Sequence, residues 1–390
     1  MNARRILALL LFSAMGCERA APDAEAARHL ASLRQAAAAR HGAAPAVTDR
    51  DGHAIAGDDF APLLESLRAS GSATVETTLD PVVQRAAIEA LGDYRGALVA
   101  IDPRTNEILA LASTGGRELA LAEQYEPGSI VKVLTGLNAV NSGFDVASMF
   151  PYHCNGELMV DGRHFGDWLP GGHGTLASID DALAVSCNVF FADVGVRLGR
   201  ERLDRFMTAA GFNGDVDLGT ARVSLGKTVG DYYNNFEIAY LAIGLEHERM
   251  NALHVAMLAS MMANRGVLTS PKLLRQRRSL LGYVVAAAPL QEKTTLASRV
   301  AAETMIRAMQ AVVSAPRGTG RHAAVDGVSM ALKTGTAGDK KSGLEALIMA
   351  FAPVEAPKIA FCVIAVDAGP AEYAGAKIAH DFVEKLKPRL

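Results

Sequence analysis

Cysteine is scarce in this sequence. Cys17, Cys154, Cys187 and Cys362 are the four present, with no Cys-x-x-Cys pair, so a disulfide framework does not organise the fold. Charge of one sign is lacking too. The formal charge is -3, with no long run of like charge, which argues against a nucleic-acid partner, since that would need a basic stripe. Aromatics make up only 6%. There is no internal repeat, and no low-complexity tract beyond an alanine-rich stretch near the start. The apolar run Ile6–Phe12 is shorter than the about 20 residues that span a bilayer. What remains is 390 residues, half of them hydrophobic, enough for one large or two ordinary domains with a real core.

The start has the layout of an export signal. Arg4 and Arg5 precede Ile6–Phe12, and the small residues Ser13, Ala14 and Gly16 lead to Cys17. Ala14-Met15-Gly16-Cys17 resembles a bacterial lipobox, with Ala14 where leucine is usual. That resemblance implies a lipidated Cys17 as the mature N-terminus and a membrane-anchored, periplasmic or extracytoplasmic protein. The chain is divided into a signal at 1–17, a short tether and hairpin region at 18–75, and a main domain at 76–390.

Within 18–75, residues 20–41 suggest an exposed helix or tether, and Thr48–Ala56 a strand pair turning at Asp51-Gly52. Asp80 and Pro81 open a helix as N-cap and first-turn residue. Residues 96–102 and 107–113 are apolar on both faces and predict a hairpin inside a covered sheet. Residues 175–185, 236–263 and 297–314 predict helices. Residues 329–338, 344–351 and 358–366 predict three strands, and 375–386 a closing amphipathic helix. Residues 272–295 give no clear signal. The fold class expected is α+β: five antiparallel strands sandwiched by helices, with an all-helical lobe between.

Residues 125–132 are the chemical centre. Pro127 and Gly128 suit a helix entrance, and the apolar run from Ile130 to Val140 predicts a buried helix. At about 3.6 residues per turn, Ser129 and Lys132 share one face. Burial lowers the pKa of an amine, so Lys132 becomes a usable proton acceptor beside a hydroxyl at the positive helix end. That is an activated nucleophile. A second Ser-x-x-Lys, Ser224 to Lys227, contains Gly226 and is followed by Gly230, and reads as loop.

Two further polar clusters follow. Ser186-Cys187-Asn188 lies between two apolar helices, where its groups need partners; Ser186 also reads as a helix N-cap. Lys333-Thr334-Gly335-Thr336 sits on a strand. The loop at 151–174 holds His153, Cys154, His164, Asp167, Trp168 and His173. Imidazole and thiolate are good zinc ligands, but no known zinc spacing is present, so the loop reads as surface or groove wall, with no metal and no cofactor.

Ser129-x-x-Lys132, Ser186-x-Asn188 and Lys333-Thr334-Gly335, in this order, resemble the motif set of penicillin-binding proteins and class A β-lactamases. The chain is similar to the transpeptidase domain of a class B, monofunctional penicillin-binding protein. Further landmarks are Asp49-Arg50-Asp51-Gly52, Thr78-Leu79-Asp80 with Gln84, Gly172-His173-Gly174 and Ala263-Asn264-Arg265-Gly266. Where the family usually has Gly-Gln-Gly and Thr-Pro-Leu-Gln, this chain has Gly244-Leu245-Glu246 and Asn251-Ala252-Leu253-His254. The resemblance implies a peptidoglycan D,D-transpeptidase whose donor is a stem peptide ending in D-Ala-D-Ala and whose acceptor is a stem-peptide amine. Ser129 would form the acyl-enzyme and Lys132 would take its proton. Ser186 would relay that proton to the departing D-alanine, with Asn188 orienting Lys132. Lys333 and Thr334 would hold the substrate carboxylate, and Gly335 would let the strand approach the substrate. Backbone N–H groups of Ser129 and Thr336 would form the oxyanion hole. β-Lactams would acylate Ser129, and partners would include the cell-wall synthesis machinery. A D,D-carboxypeptidase, a β-lactamase-type hydrolase and a β-lactam-binding sensor or scaffold are the alternatives.

Overall fold

Strands β1 (Gly96–Asp102) and β2 (Glu107–Ser113) have almost no solvent-facing side chain, as their unbroken apolar sequence requires. With β3 (Ala331–Asp339), β4 (Gly343–Ala352) and β5 (Ile359–Ala365) they form one antiparallel sheet in the order β3-β4-β5-β1-β2. The computed structural model describes residues 46–55, 74–115, 119–230, 234–279, 282–339 and 343–390. The signal at 1–17, Cys17 and the 20–41 helix lie outside the described residues.

Helices cover both faces of the sheet. On one lie α1 (Pro81–Leu91) and, from the far end of the chain, α6 (Ala374–Leu386); on the other lies α4 (Ala252–Ala263). Asp80 caps α1 by accepting from the Val82 and Val83 amides, and Pro81 fills the first turn, where no donor is needed. All twelve residues of α4 are buried, which is why its sequence shows no polar stripe. The helical lobe contains α2 (Val131–Asn141), α3 (Asn188–Leu198) and α5 (Arg299–Ser314), with α5 also lying along edge strand β3.

Several sequence landmarks act as clamps. Thr78 donates to the Ile108 carbonyl, and Gln84 pairs with both backbone groups of Leu111. Asn264 donates to the Pro103 carbonyl at 2.7 Å. Arg50 of the Asp49–Gly52 turn pairs with Glu107 at 3.0 Å.

The structure departs from the sequence reading in four places. The helix expected over 236–263 is two helices, Asn235–Leu241 and α4, because Gly244 and Glu246 take positive φ between them. The loop at 151–174 contains two short ribbons, Tyr152–Cys154 with Gly174–Leu176 and Glu157–Val160 with Arg163–Gly166. The helix at 175–185 shrinks to Ile179–Ala184 behind an Ser178 cap. Residues 274–278 and 284–287 are strands that join Ala46–Thr48 and Thr74–Thr77 in a second sheet. The boundary at 75/76 therefore falls inside a strand.

Candidate active site

The chain enters α2 through a tight turn, Gly128–Ile130. Gly128 has φ +53°, and a Cβ there would lie 2.7 Å from the Thr336 carbonyl oxygen. Its N–H donates to Gly244 O at 2.9 Å, and a Cβ on Gly244 would in turn collide with Gly128. Three glycines thus let the Ser129 turn, the 244 loop and strand β3 close on one another. The third is Gly335, whose absent Cβ would meet Pro127 O at 2.5 Å. Gly335 serves this packing, so the approach expected toward a substrate is instead an approach to the turn carrying Ser129.

Lys132 has no solvent exposure. Its Nζ lies 2.9 Å from Ser129 Oγ, 2.5 Å from Asn188 Oδ1, 2.8 Å from the Ser186 carbonyl and 3.2 Å from Ser186 Oγ. Burial pushes this amine down to about 8, against the opposing pull of Asp167 and Cys187. Four acceptors surround a group with three protons at most. A neutral amine fits better. Its two N–H groups serve Asn188 Oδ1 and the Ser186 carbonyl, which can only accept, and its lone pair is left for the Ser129 hydroxyl.

Ser186 does not cap α3, as one sequence reading had it. It stands in the left-handed region at φ +56°, and Cys187 is the cap, its Sγ accepting from Phe190 N–H. A serine at positive φ is strained and needs its surroundings to hold it. Lys132 and the Trp168 indole both donate to its carbonyl, the latter at 3.1 Å. Its hydroxyl lies between two amines, because Lys333 Nζ is 3.0 Å away. Lys333 is also fully buried and held well below the ordinary lysine range, first by burial and then by Lys132.

Ser129, Ser186, Asn188, Thr334 and Thr336 line one cleft of about 370 Å³, with Trp168 and Thr319 among its walls. Thr336 Oγ1 accepts from the Ala371 N–H at 3.0 Å, which fixes this side chain at the cleft wall. Thr319, in the turn after α5 that the sequence motifs do not include, places Oγ1 2.7 Å from Thr334 Oγ1. The density of Gly318 and Gly320 around it was the available signal: both pack against Val312. The second Ser-x-x-Lys is different in kind. Ser224 and Lys227 are exposed on short strands, and Ser224 donates to Asp215. Asn251 and His254 of the departing segment are structural. Asn251 caps α4, and buried His254 accepts from Gly226 N–H and donates to Ala210 O.

A serine beside a buried lysine at a helix start is thus faced by a Ser-x-Asn turn and a Lys-Thr-Gly strand at the edge of an antiparallel sheet. Residues 96–386 match the penicillin binding protein transpeptidase domain, and the chain belongs to that family. It is 28% identical over 337 residues to peptidoglycan D,D-transpeptidase PbpA of Mycolicibacterium smegmatis, covering 76% of this chain and 67% of that protein. It is 28% identical to stage V sporulation protein D of Bacillus subtilis, covering 80% of this chain and 51% of that protein. The chain thus spans between half and two thirds of these relatives. Among solved structures, the D,D-transpeptidase domain from Eggerthella lenta superposes with a TM-score of 0.78 at 22% identity, covering 88% of this chain and 98% of that one. A ceftriaxone acyl-enzyme of penicillin-binding protein A from Mycobacterium tuberculosis gives 0.71 at 23% identity, covering 80% and 79%.

Proposed function

We propose that this protein is a peptidoglycan D,D-transpeptidase working through an acyl-enzyme on Ser129. The observation that carries the reading is the 2.9 Å contact between Ser129 Oγ and a buried Lys132. Neutral Lys132 accepts the Ser129 proton as Oγ attacks the carbonyl of a D-Ala-D-Ala donor. The proton passes through Ser186 to the departing D-alanine amine. Two amines around one hydroxyl support this relay, since either holds the Ser186 oxygen while the other gains or loses a proton. Asn188 keeps Lys132 aimed. Thr334, backed by Thr319, presents a hydroxyl to the donor carboxylate, and Lys333 supplies positive potential when protonated. The backbone N–H groups of Ser129 and Thr336 receive the oxyanion, each worth a few kcal/mol. A stem-peptide amine then takes the acyl group. The relatives named as D,D-transpeptidases support this outcome over hydrolysis.

A fluorescent penicillin is expected to label the wild type covalently and to leave Ser129→Ala unlabelled. Amine-dependent release from a stem-peptide donor distinguishes transfer from hydrolysis, and rapid release to water contradicts it. We further propose export by the 1–17 signal and anchoring through a lipidated Cys17. Cys17→Ser is expected to move the protein from the detergent phase to the soluble fraction; unchanged partitioning contradicts the anchor.

A further inference from the structure

Behind the Ser186–Asn188 turn three metal-ligating side chains, Cys154, Cys187 and Asp167, meet without solvent, with His173 against the carboxylate. Cys154 Sγ and Cys187 Sγ are 3.4 Å apart, and Asp167 Oδ2 lies 3.3 Å from Cys187 Sγ and 3.8 Å from Cys154 Sγ. His173 Nε2 is 3.1 Å from the other oxygen of the same carboxylate. Both thiols and the Asp167 carboxylate are fully buried, and the His173 ring is 3% exposed. We propose that Cys154, Cys187, Asp167 and His173 bind one divalent cation of the zinc class, through two thiolates, a carboxylate and an imidazole.

The separations favour this over the simpler readings. A tetrahedral zinc, with bonds of about 2.3 Å to sulfur and about 2.0 Å to oxygen, sets its donor atoms about 3.3 to 3.8 Å apart. The two sulfur–oxygen separations straddle the about 3.5 Å such bonds give, and the sulfurs need only open from 3.4 Å to the about 3.8 Å of two metal-bound thiolates. A disulfide would use only the two sulfurs, which stand 3.4 Å apart against about 2.05 Å in an S–S bond, and would give no part to the Asp167 carboxylate, which His173, Leu169 and Val189 hold toward them. The backbone is also arranged for negative ligands. Val189 N–H reaches Asp167 and Phe190 N–H reaches Cys187 Sγ from the first turn of α3, while Gly156 and His173 N–H groups reach Cys154.

On binding, each thiol loses its proton to solvent and a metal–sulfur bond replaces the S–H bond. Two thiolates, one carboxylate and a doubly charged cation sum to one negative charge, the same as the carboxylate beside two neutral thiols. The field felt by Lys132 therefore keeps its sign, and the effect of the metal is mechanical. It ties the 152–154 ribbon and the 167–173 loop to the residue standing between Ser186 and Asn188. Because two protons leave, affinity falls as pH falls.

The test uses the full chain purified without chelator. Elemental analysis is expected to find about one zinc per chain. Cobalt loaded in its place is expected to give a thiolate charge-transfer band in the near ultraviolet and strong tetrahedral bands in the visible. Cys154→Ser and Cys187→Ser should lose both signals, and Cys362→Ser, on β5, should keep them. Should the serine variants fold poorly, a mercurial titration of the wild type reads the same site: zinc should be released as the two thiols react. Stripping the metal is expected to slow acylation of Ser129 about tenfold. That part rests on the acyl-transfer reading, whereas metal content and the cobalt spectrum do not. Protein without zinc and without the charge-transfer band, or Cys154 and Cys187 recovered as a disulfide, overturns the proposal.

Discussion

An amine with no solvent contact is costly to charge, and Lys132 is given more acceptors than an ammonium can serve. Its basicity should therefore appear in kinetics. The β-lactam acylation rate is expected to rise with pH through about 8, as the neutral amine becomes populated, and to level above it. A flat profile over that range would remove Lys132 as the base. Lys132→Ala should abolish acylation yet change stability by no more than about 1 kcal/mol, because the desolvation cost that disappears offsets the hydrogen bonds lost. Calorimetry of the variant checks this. Thr319 gives a second test. Thr319→Val should slow acylation about tenfold, the worth of about 1.4 kcal/mol in one hydrogen bond, and Thr319→Ser should restore it. Equal rates for all three would make the Thr319–Thr334 contact incidental. Ser129, Lys132 and Asn188 were legible because their residue types and spacing carry chemistry. Thr319 was not, since a threonine in a turn looks the same whether or not it meets a strand 15 residues on.

Between elements the governing feature is closeness. The Ser129 turn, the 244 loop and β3 approach so nearly that three glycines are required, and backbone, not a movable side chain, stands nearest to where each Cβ would go. Gly335→Ala is expected to cost about 1–3 kcal/mol and to impair acylation by displacing Ser129; unchanged melting and labelling would contradict the packing role. The hairpin at 96–113 was readable strand by strand, because residues buried on both faces form unbroken apolar runs. The split of 236–263 was not. Its Ala, Leu and Met content favours helix throughout, and the break depends on Gly244 meeting Gly128, a contact between distant parts of the chain. The ribbons at 152–166 escaped for a related reason: polar two-stranded pieces show no apolar alternation.

Across the whole molecule, the sheet gives one edge strand to the site and buries the rest under helices from both ends of the chain. The second sheet ties residues 46–48 and 74–77 to strands 200 residues later, which no local pattern could announce. Among the described residues, Glu248 is the buried acid with both carboxylate oxygens unpartnered. It is fully buried, and burial holds its pKa well above the usual range. A carboxyl raised in the folded state binds its proton more tightly there, so stability falls as pH rises from its unfolded value of about 4.3 toward the raised value. Glu248→Gln should raise the melting temperature at pH 8 by about 2–6 °C, with the gain shrinking toward pH 5. A gain independent of pH would show that Glu248 is not titrating in this way.

The most direct test of the account is mass spectrometry of the wild-type protein after incubation with a β-lactam. The prediction is one adduct, mapped to the peptide containing Ser129 and absent from Ser129→Ala. An adduct on Ser186 or Ser224, or none on a folded protein at pH 8, contradicts it.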